Sequence, residues 1–515
     1  MYAQEATQDQ SIELPEFVIT GEQNISIPTM KKDRPVLVPT LSDEFLRPAY
    51  SPKQLTLSKR SDPIERELNL YKNAKAYNGL LILGAGYRTL PRGELYFNQN
   101  IDNFLFKSKL YGSNTTEYIK NSGYNVSGIT ASFDFYVDNQ SSFLPGLNIN
   151  LAGDFLRDSY KFYGSDNPAD ERETFNTFGM LSLQSDVSKN VNYAIIGKTE
   201  LLELKDINFK EYLYCGELNL DILFDKFGIG TNGIYKYQDI DNNSVISNNY
   251  YYGGNFYALI EPSNRLQFKL GGHYSAVDTA EYVAPYATIS FELGDNWTLV
   301  GKYMPNTEFT TYNKFIDQNK FIGVNSNEFN FQENNYNSSF LIKYQYMKYY
   351  EINLGASFAR VDNLPYFDDE GTRGVFYLKK VRDIDRFQAY VNLLFHSGPY
   401  GFFYGEVKYN RLKLADGNNV PYYPELSTGL IYGFDVSESL SAKTKLDIYL
   451  ENYAGVENRV KLPAYIDWSL YLYYNLTGNL KLTFAAENVL NNNNYIYNGY
   501  QEKTIDFIGG IQYRW

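Results

Sequence analysis

The chain has 515 residues, with 60 acidic against 47 basic side chains and a formal net charge of −13. That balance excludes nucleic acid as a partner, because phosphate backbones are bound by clustered lysine and arginine. A single cysteine, Cys215, excludes an internal disulfide and a thiolate metal centre.

Fifty tyrosines and 34 phenylalanines raise the aromatic share to 17%, yet mean hydropathy stays negative. Tyrosine in such numbers suits surfaces that are apolar at one end and wet at the other. No apolar run reaches the roughly 18 residues that a membrane-spanning helix needs. The most apolar early stretch, "GLLILGAGY" at Gly79–Tyr87, is about half that length.

The opening "MYAQE" resembles the end of a secretory leader around its cleavage site, so Met1 is expected inside or beside a removed leader. Residues 1–78 are punctuated by Pro15, Pro28, Pro35, Pro39, Pro48, Pro52 and Pro63 and hold no sustained period. They read as an irregular N-terminal segment, a lumen stopper or a tail that a partner orders. Within it, Asp62–Tyr77 predicts a short helix, with Asp62 as cap and Pro63 at the first helical position.

From Gly79 to Trp515 the pattern changes to extended segments of alternating character. In Ala464–Leu476, Ile466, Trp468, Leu470, Leu472 and Tyr474 share one side with Ala464 and Leu476. The other side carries Tyr465, Asp467, Ser469, Tyr471, Tyr473 and Asn475. Leu440–Leu450 and Phe387–Phe395 alternate likewise, as does the closing segment Ile505–Trp515, and charges keep to one side of each strand. His396 shares the side of Gln388 and Asn392 and is expected to face inward.

Tight turns recur at Asn100–Asn103, Leu144–Leu147, Val187–Asn190, Phe224–Phe227, Pro262–Arg265, Leu293–Asn296, Met347–Tyr350, Ser397–Tyr400, Val436–Ser439 and Leu476–Asn479. Between them the chain returns through longer polar connections, such as the thirty residues Pro305–Asn334. Ten tight turns plus free first and last strands predict 22 strands. The fold class is therefore all-β: a transmembrane, antiparallel, up-and-down β-barrel of about 22 strands over residues 79–515. Such a barrel must pair every backbone group with a neighbour and present apolar side chains to outer-membrane lipid, while its lumen stays wet. An outward Lys or Arg at mid-membrane would cost about 2–4 kcal/mol, which accounts for the one-sided charges. A soluble propeller would need a repeat of about 40–50 residues, and a sandwich would need a break into smaller domains; neither is present.

The C-terminal set Phe507, Ile511, Tyr513 and Trp515 resembles the signature read by the barrel-assembly machinery during outer-membrane biogenesis. Leu480–Tyr500, with Glu487, Asn488, Val489, Leu490, Asn491 and Tyr495, resembles the penultimate strand and last loop of TonB-dependent receptors. "ELPEFVITG" at Glu13–Gly21 resembles the TonB box of that family, carried here by Leu14, Pro15, Glu16, Phe17, Val18, Ile19 and Thr20. The resemblance implies a 22-stranded receptor barrel in the outer membrane of a Gram-negative (diderm) bacterium and a periplasmic TonB-like partner. It also implies a plug of about 150 residues, for which residues 1–78 are too short, so a reduced or missing plug is expected. Physically, Phe17 and Ile19 would fall on one side of an added strand, with Glu16, Val18 and Thr20 on the other.

With only His273 and His396, zinc hydrolysis and Cys–His catalysis are implausible, and no enzyme signature occurs. Neither a cofactor nor a metal is expected. Asp239–Asn243 and Phe367–Gly371 read as solvated acidic loop tips rather than cation sites. Tyr449, Tyr465, Tyr471 and Tyr473 point inward and are candidate lumen contacts for a ligand, or for whatever fills the barrel. The leading expectation is uptake or passage of a solute. A scaffold barrel holding other envelope proteins, or an open export pore, is the alternative.

Overall fold

The computed structural model describes residues 78–515 apart from 139–145, 186–189, 243–244, 278–279, 295, 325–330, 347–348, 370–372 and 397–400. The TonB-box-like stretch Leu14–Thr20 and the helix expected at Asp62–Tyr77 lie outside the described residues.

From Gly79–Gly86 to Asp506–Arg514, each wall strand pairs antiparallel with the next, and the last pairs with the first through Leu81↔Tyr513 and Leu83↔Ile511. The sheet has 23 strand segments. Trp297–Tyr303 and Asn306–Phe309 both pair with Phe331–Tyr346 and form one wall strand, so the closed barrel has 22. Closure leaves no open edge, which is what a sheet in lipid requires.

The alternation sorts side chains as the sequence implies. Along Tyr465–Asn475, Trp468, Leu472 and Tyr474 are exposed on the outside, whereas Tyr465, Asp467, Ser469, Tyr471 and Tyr473 are buried on the inside. Along the last strand, Phe507, Ile511, Tyr513 and Trp515 face out, while Asp506, Ile508 and Gln512 are buried. Charges on the inner face meet partners: Glu94 receives Arg92 at 2.7 Å and Lys109 at 3.3 Å, and Lys343 meets Glu351 at 3.1 Å. His396 lies on the inner side with Gln388, its ring stacked near Phe402.

The chain's described ends meet at the tight-turn rim. The Trp515 carbonyl accepts from the Asn78 and Gly79 amides at 2.8 and 3.2 Å. The Trp515 indole lies over Gly79, where a β-carbon would collide with the ring. Among the described residues, the tight turns at Asn100–Asn103 and Phe224–Phe227 each join two adjacent wall strands; Asp102 and Asp225 take the left-handed backbone (φ 50° and 57°) in theirs, a conformation Asp tolerates.

Two long connections differ from the polar loops expected. Pro305–Asn334 contains the wall segment Asn306–Phe309, a helix α1 (Tyr312–Gln318) and the start of Phe331–Tyr346. Phe367 and Asp368 are not solvated: both are buried in a hairpin, Leu364–Asp368 with Tyr377–Val381, where Asp368 pairs with Lys379. Asp239–Asn242 belongs to the wall strand Phe227–Asn242 rather than to a loop tip. Both corrections have one cause: the apolar residues beside these acids are drawn into a core at the loop rim.

Candidate functional site: a capped lumen

The core at the loop rim is built from the insertion around α1. Its residues Tyr312, Phe315 and Ile316 follow helical spacing and are buried, while Lys314 and Asp317 on the opposite face are exposed. Thr311 caps the helix, accepting from the Lys314 amide at 3.4 Å. The wall strand Phe209–Phe224 then supplies the anchor. Buried Glu211 accepts from the Tyr312 and Asn313 amides at 2.9 and 2.7 Å, and Gln238 donates to the same carboxylate. Two free amides at a helix start favour an anion there.

Two further wall contacts fix the insertion. Asn313 donates to Glu200 at 2.9 Å, and Arg172, held by Asp206 at 2.8 Å, donates to the Ile322 carbonyl. Beyond the helix, the Gly323 amide donates to the Phe376 carbonyl at 2.7 Å, and the Phe376 amide to that of Phe321 at 3.0 Å. The insertion thereby grips the Leu364–Val381 hairpin.

The last loop completes the lid. Tyr500 stacks on Phe321, and Tyr497 donates to the Gln318 carbonyl at 2.9 Å. Tyr163 donates to the Gln501 carbonyl at 2.6 Å, and Asn498 to Asp369 at 3.2 Å. Phe376, Tyr422 and Tyr497 pack within 5.5 Å of one another, ring centre to ring centre. Burial pushes the phenols of Tyr163, Tyr422, Tyr497 and Tyr500 well above their usual range, so these four stay protonated even in alkaline solution. Apolar burial and edge-to-face pairs, at about 0.5–1.5 kcal/mol each, hold these loops together over the mouth.

The "ENVLN" stretch has a structural role at the barrel seam. Lys503 lies between Glu487 and Asp506 at 2.7 and 2.8 Å and donates to Thr89 at 3.1 Å. Burial works against its ammonium, but Glu487 foremost, with Asp506, holds its pKa above the usual lysine value. Asn488 bonds to the Asn492 and Lys503 carbonyls at 3.0 and 3.1 Å, and the Ile505 amide donates to Asn491 at 3.1 Å. The motif fixes the base of the last loop where the first strands meet the last.

The four candidate lumen tyrosines all face inward but do not form one site. Tyr449 and Tyr465, with rings 5.1 Å apart, join the lid core. Tyr471 and Tyr473 pack with Leu80, Ile82, Tyr96, Ala485 and Ile508 toward the tight-turn rim. Sequence reasoning missed Glu211, Arg172, Asn313, Phe321 and Tyr500. The helical spacing of Tyr312, Phe315 and Ile316 was a signal for the insertion; the wall partners left none.

Under the lid, between α1 and the wall, lies a cavity of about 570 Å³. Lys198 and Glu217, on adjacent wall strands, pair at 2.5 Å along its wall side, Cys215 lines it, and Lys236 donates to the Phe309 carbonyl at 3.2 Å. Among the described residues, no group of three His, Cys, Asp or Glu side chains is arranged to hold a metal ion.

A closed barrel of 22 strands, apolar outside, charged inside, with tight turns at one rim and folded loops at the other, has the architecture of a TonB-dependent outer-membrane receptor. No family model matches the sequence, and no curated protein does. Solved structures do resemble it. The siderophore receptor PiuA from Acinetobacter baumannii shares 13% identity at a TM-score of 0.64, over 86% of this chain and 82% of that one. The ferric-catecholate import receptor Fiu from K12 E. coli shares 11% at 0.62, over 86% and 82%. The FrpB iron transporter from Neisseria meningitidis shares 10% at 0.64, over 86% and 82%. At these identities the likeness establishes the fold, and the apolar outer side of the barrel suits it to a lipid bilayer.

Proposed function

We propose that this chain takes a solute inward across the outer membrane, with the loop lid as its outer gate. The observation that carries the reading is a charged lumen lying directly beneath a lid whose inserted helix is anchored on the wall at Glu211. Proteins that share the fold include a ferric-catecholate import receptor, a copper transporter and an iron transporter, which supports passage of a small solute. Residues 1–78 are read as a segment distinct in composition from the barrel. Its stretch Leu14–Thr20 offers a strand to a periplasmic TonB-like partner. Phe507, Ile511, Tyr513 and Trp515 present the final strand to the barrel-assembly machinery.

The test is uptake of a panel of labelled small solutes by cells bearing the full chain or a chain lacking residues 13–21. The proposal expects at least one solute to accumulate with the full chain and its energised accumulation to vanish with the deletion. Uptake unchanged by the deletion would remove the coupling, and no uptake of any solute would remove the transport reading.

A further inference from the structure

The cavity under the lid is walled on one side by the barrel and on the other by the polar face of α1. Leu156, Phe178, Leu213, Ile234 and Phe309 give it an apolar lining. Most of its charges are already engaged. Lys198 is neutralised by Glu217, Glu200 accepts from Asn313, Lys236 is spent on a backbone carbonyl, and Asp317 on α1 is engaged as well.

Two are not. Asp154, on the wall strand Asn148–Lys161, has no hydrogen bond or ion pair among the described residues. Lys314, on α1, has none either. The cation nearest to Asp154 in electrostatic terms, Lys109, is committed to Glu94 at 3.3 Å and lies over the rings of Tyr96 and Tyr111. The cavity therefore offers one carboxylate and one ammonium, set on two different elements, in a lining that also carries apolar side chains.

Resting on the uptake reading above, we infer that this cavity binds a short zwitterionic peptide. Its free amino end goes to Asp154, its carboxylate to Lys314, and its side chains lie against Phe178 and Phe309. A volume of about 570 Å³ suits a ligand of drug-like size, here a peptide of about two to four residues. A simple anion would leave Asp154 unanswered, and a simple cation would leave Lys314 so. Lys314 is exposed and Asp154 half-buried, so an unanswered charge simply adds nothing to binding, whereas a ligand carrying both signs engages both groups.

The probe is alanyl-phenylalanyl-alanine, used with free ends, N-acetylated, and C-amidated. Binding is followed by calorimetry on the detergent-solubilised full chain. The free peptide is expected to bind, and blocking either end should weaken it about tenfold or more, the loss of one charge-assisted hydrogen bond. In Asp154→Asn the acetylation penalty should disappear while the amidation penalty stays; in Lys314→Gln the reverse should hold. A variant that merely disturbs the fold would weaken all three forms alike. Equal binding of free and blocked peptides, or no binding of any, overturns the inference. If the solute panel still shows energised uptake in that case, the transport reading stands without it.

Discussion

Tyr500 lies face to face on Phe321, ring centres 3.5 Å apart and planes 17° from parallel, and so joins the last loop of the barrel to the inserted segment that follows α1. Tyr163 meets both rings edge-on at 5.0 and 6.0 Å. Replacing Phe321 or Tyr500 by Ala should loosen the lid without unfolding the barrel. A double-mutant cycle should return a coupling of about 0.5–1.5 kcal/mol. Protease nicking of the loops, with heat-modifiable gel mobility as the control for an intact barrel, reads both effects.

Glu211 is the anchor of α1 on the wall. Glu211→Gln keeps the shape but removes the charge that two amides share, and should cost the docked insertion about 1.5–3 kcal/mol. In a Cys215→Ser background, an Asp317→Cys probe should react slowly with an impermeant maleimide in intact cells. Adding Glu211→Gln should raise that rate about tenfold, because the cavity face of α1 becomes reachable from outside.

Much of this was legible in the residues, and for a definite reason. A wall strand in lipid must alternate, so Tyr465–Asn475 announces its two faces by itself, and each tight turn is coded locally. The lid has no such period. Phe321, Phe376, Tyr422 and Tyr500 come from four connections and meet only once the barrel has placed those connections around one mouth. Phe367 and Asp368 looked like a solvated acidic tip because the neighbours that bury Phe367, Phe315 and Tyr497, are far away in sequence. The "ENVLN" stretch was recognisable as a pattern, but its work at the seam depends on Lys503 and Thr89.

Lys503 gives a prediction with a sign in pH. Its folded pKa lies above the unfolded one, so its contribution is complete below the ordinary lysine value and is lost as pH rises through the higher folded value. The barrel's thermal midpoint should therefore hold from neutral pH to about 10 and fall above it. Lys503→Met strands two buried carboxylates, should cost about 3–5 kcal/mol, and should flatten that alkaline fall.

Gly499 and Gly374 hold the left-handed backbone at φ +86° and +72°, and both pack against the backbone of Gly164. In Gly499→Ala the new β-carbon would stand 2.9 Å from the Gly164 carbonyl oxygen. The backbone term alone is about 1–2 kcal/mol. Hydrogen exchange should quicken in residues 162–170 and 364–383 while the wall strands stay protected.

The central claim is that alternate side chains touch acyl chains on the outside of one closed cylinder. Nitroxides placed singly from Ile466 to Tyr474 in reconstituted bilayers test it by their collision rates with oxygen and with a polar nickel complex. Oxygen contact should peak at Ile466, Trp468, Leu470, Leu472 and Tyr474 and fall at Asp467, Ser469, Tyr471 and Tyr473. A profile without that two-residue period, or nickel reaching the first set freely, would contradict the account.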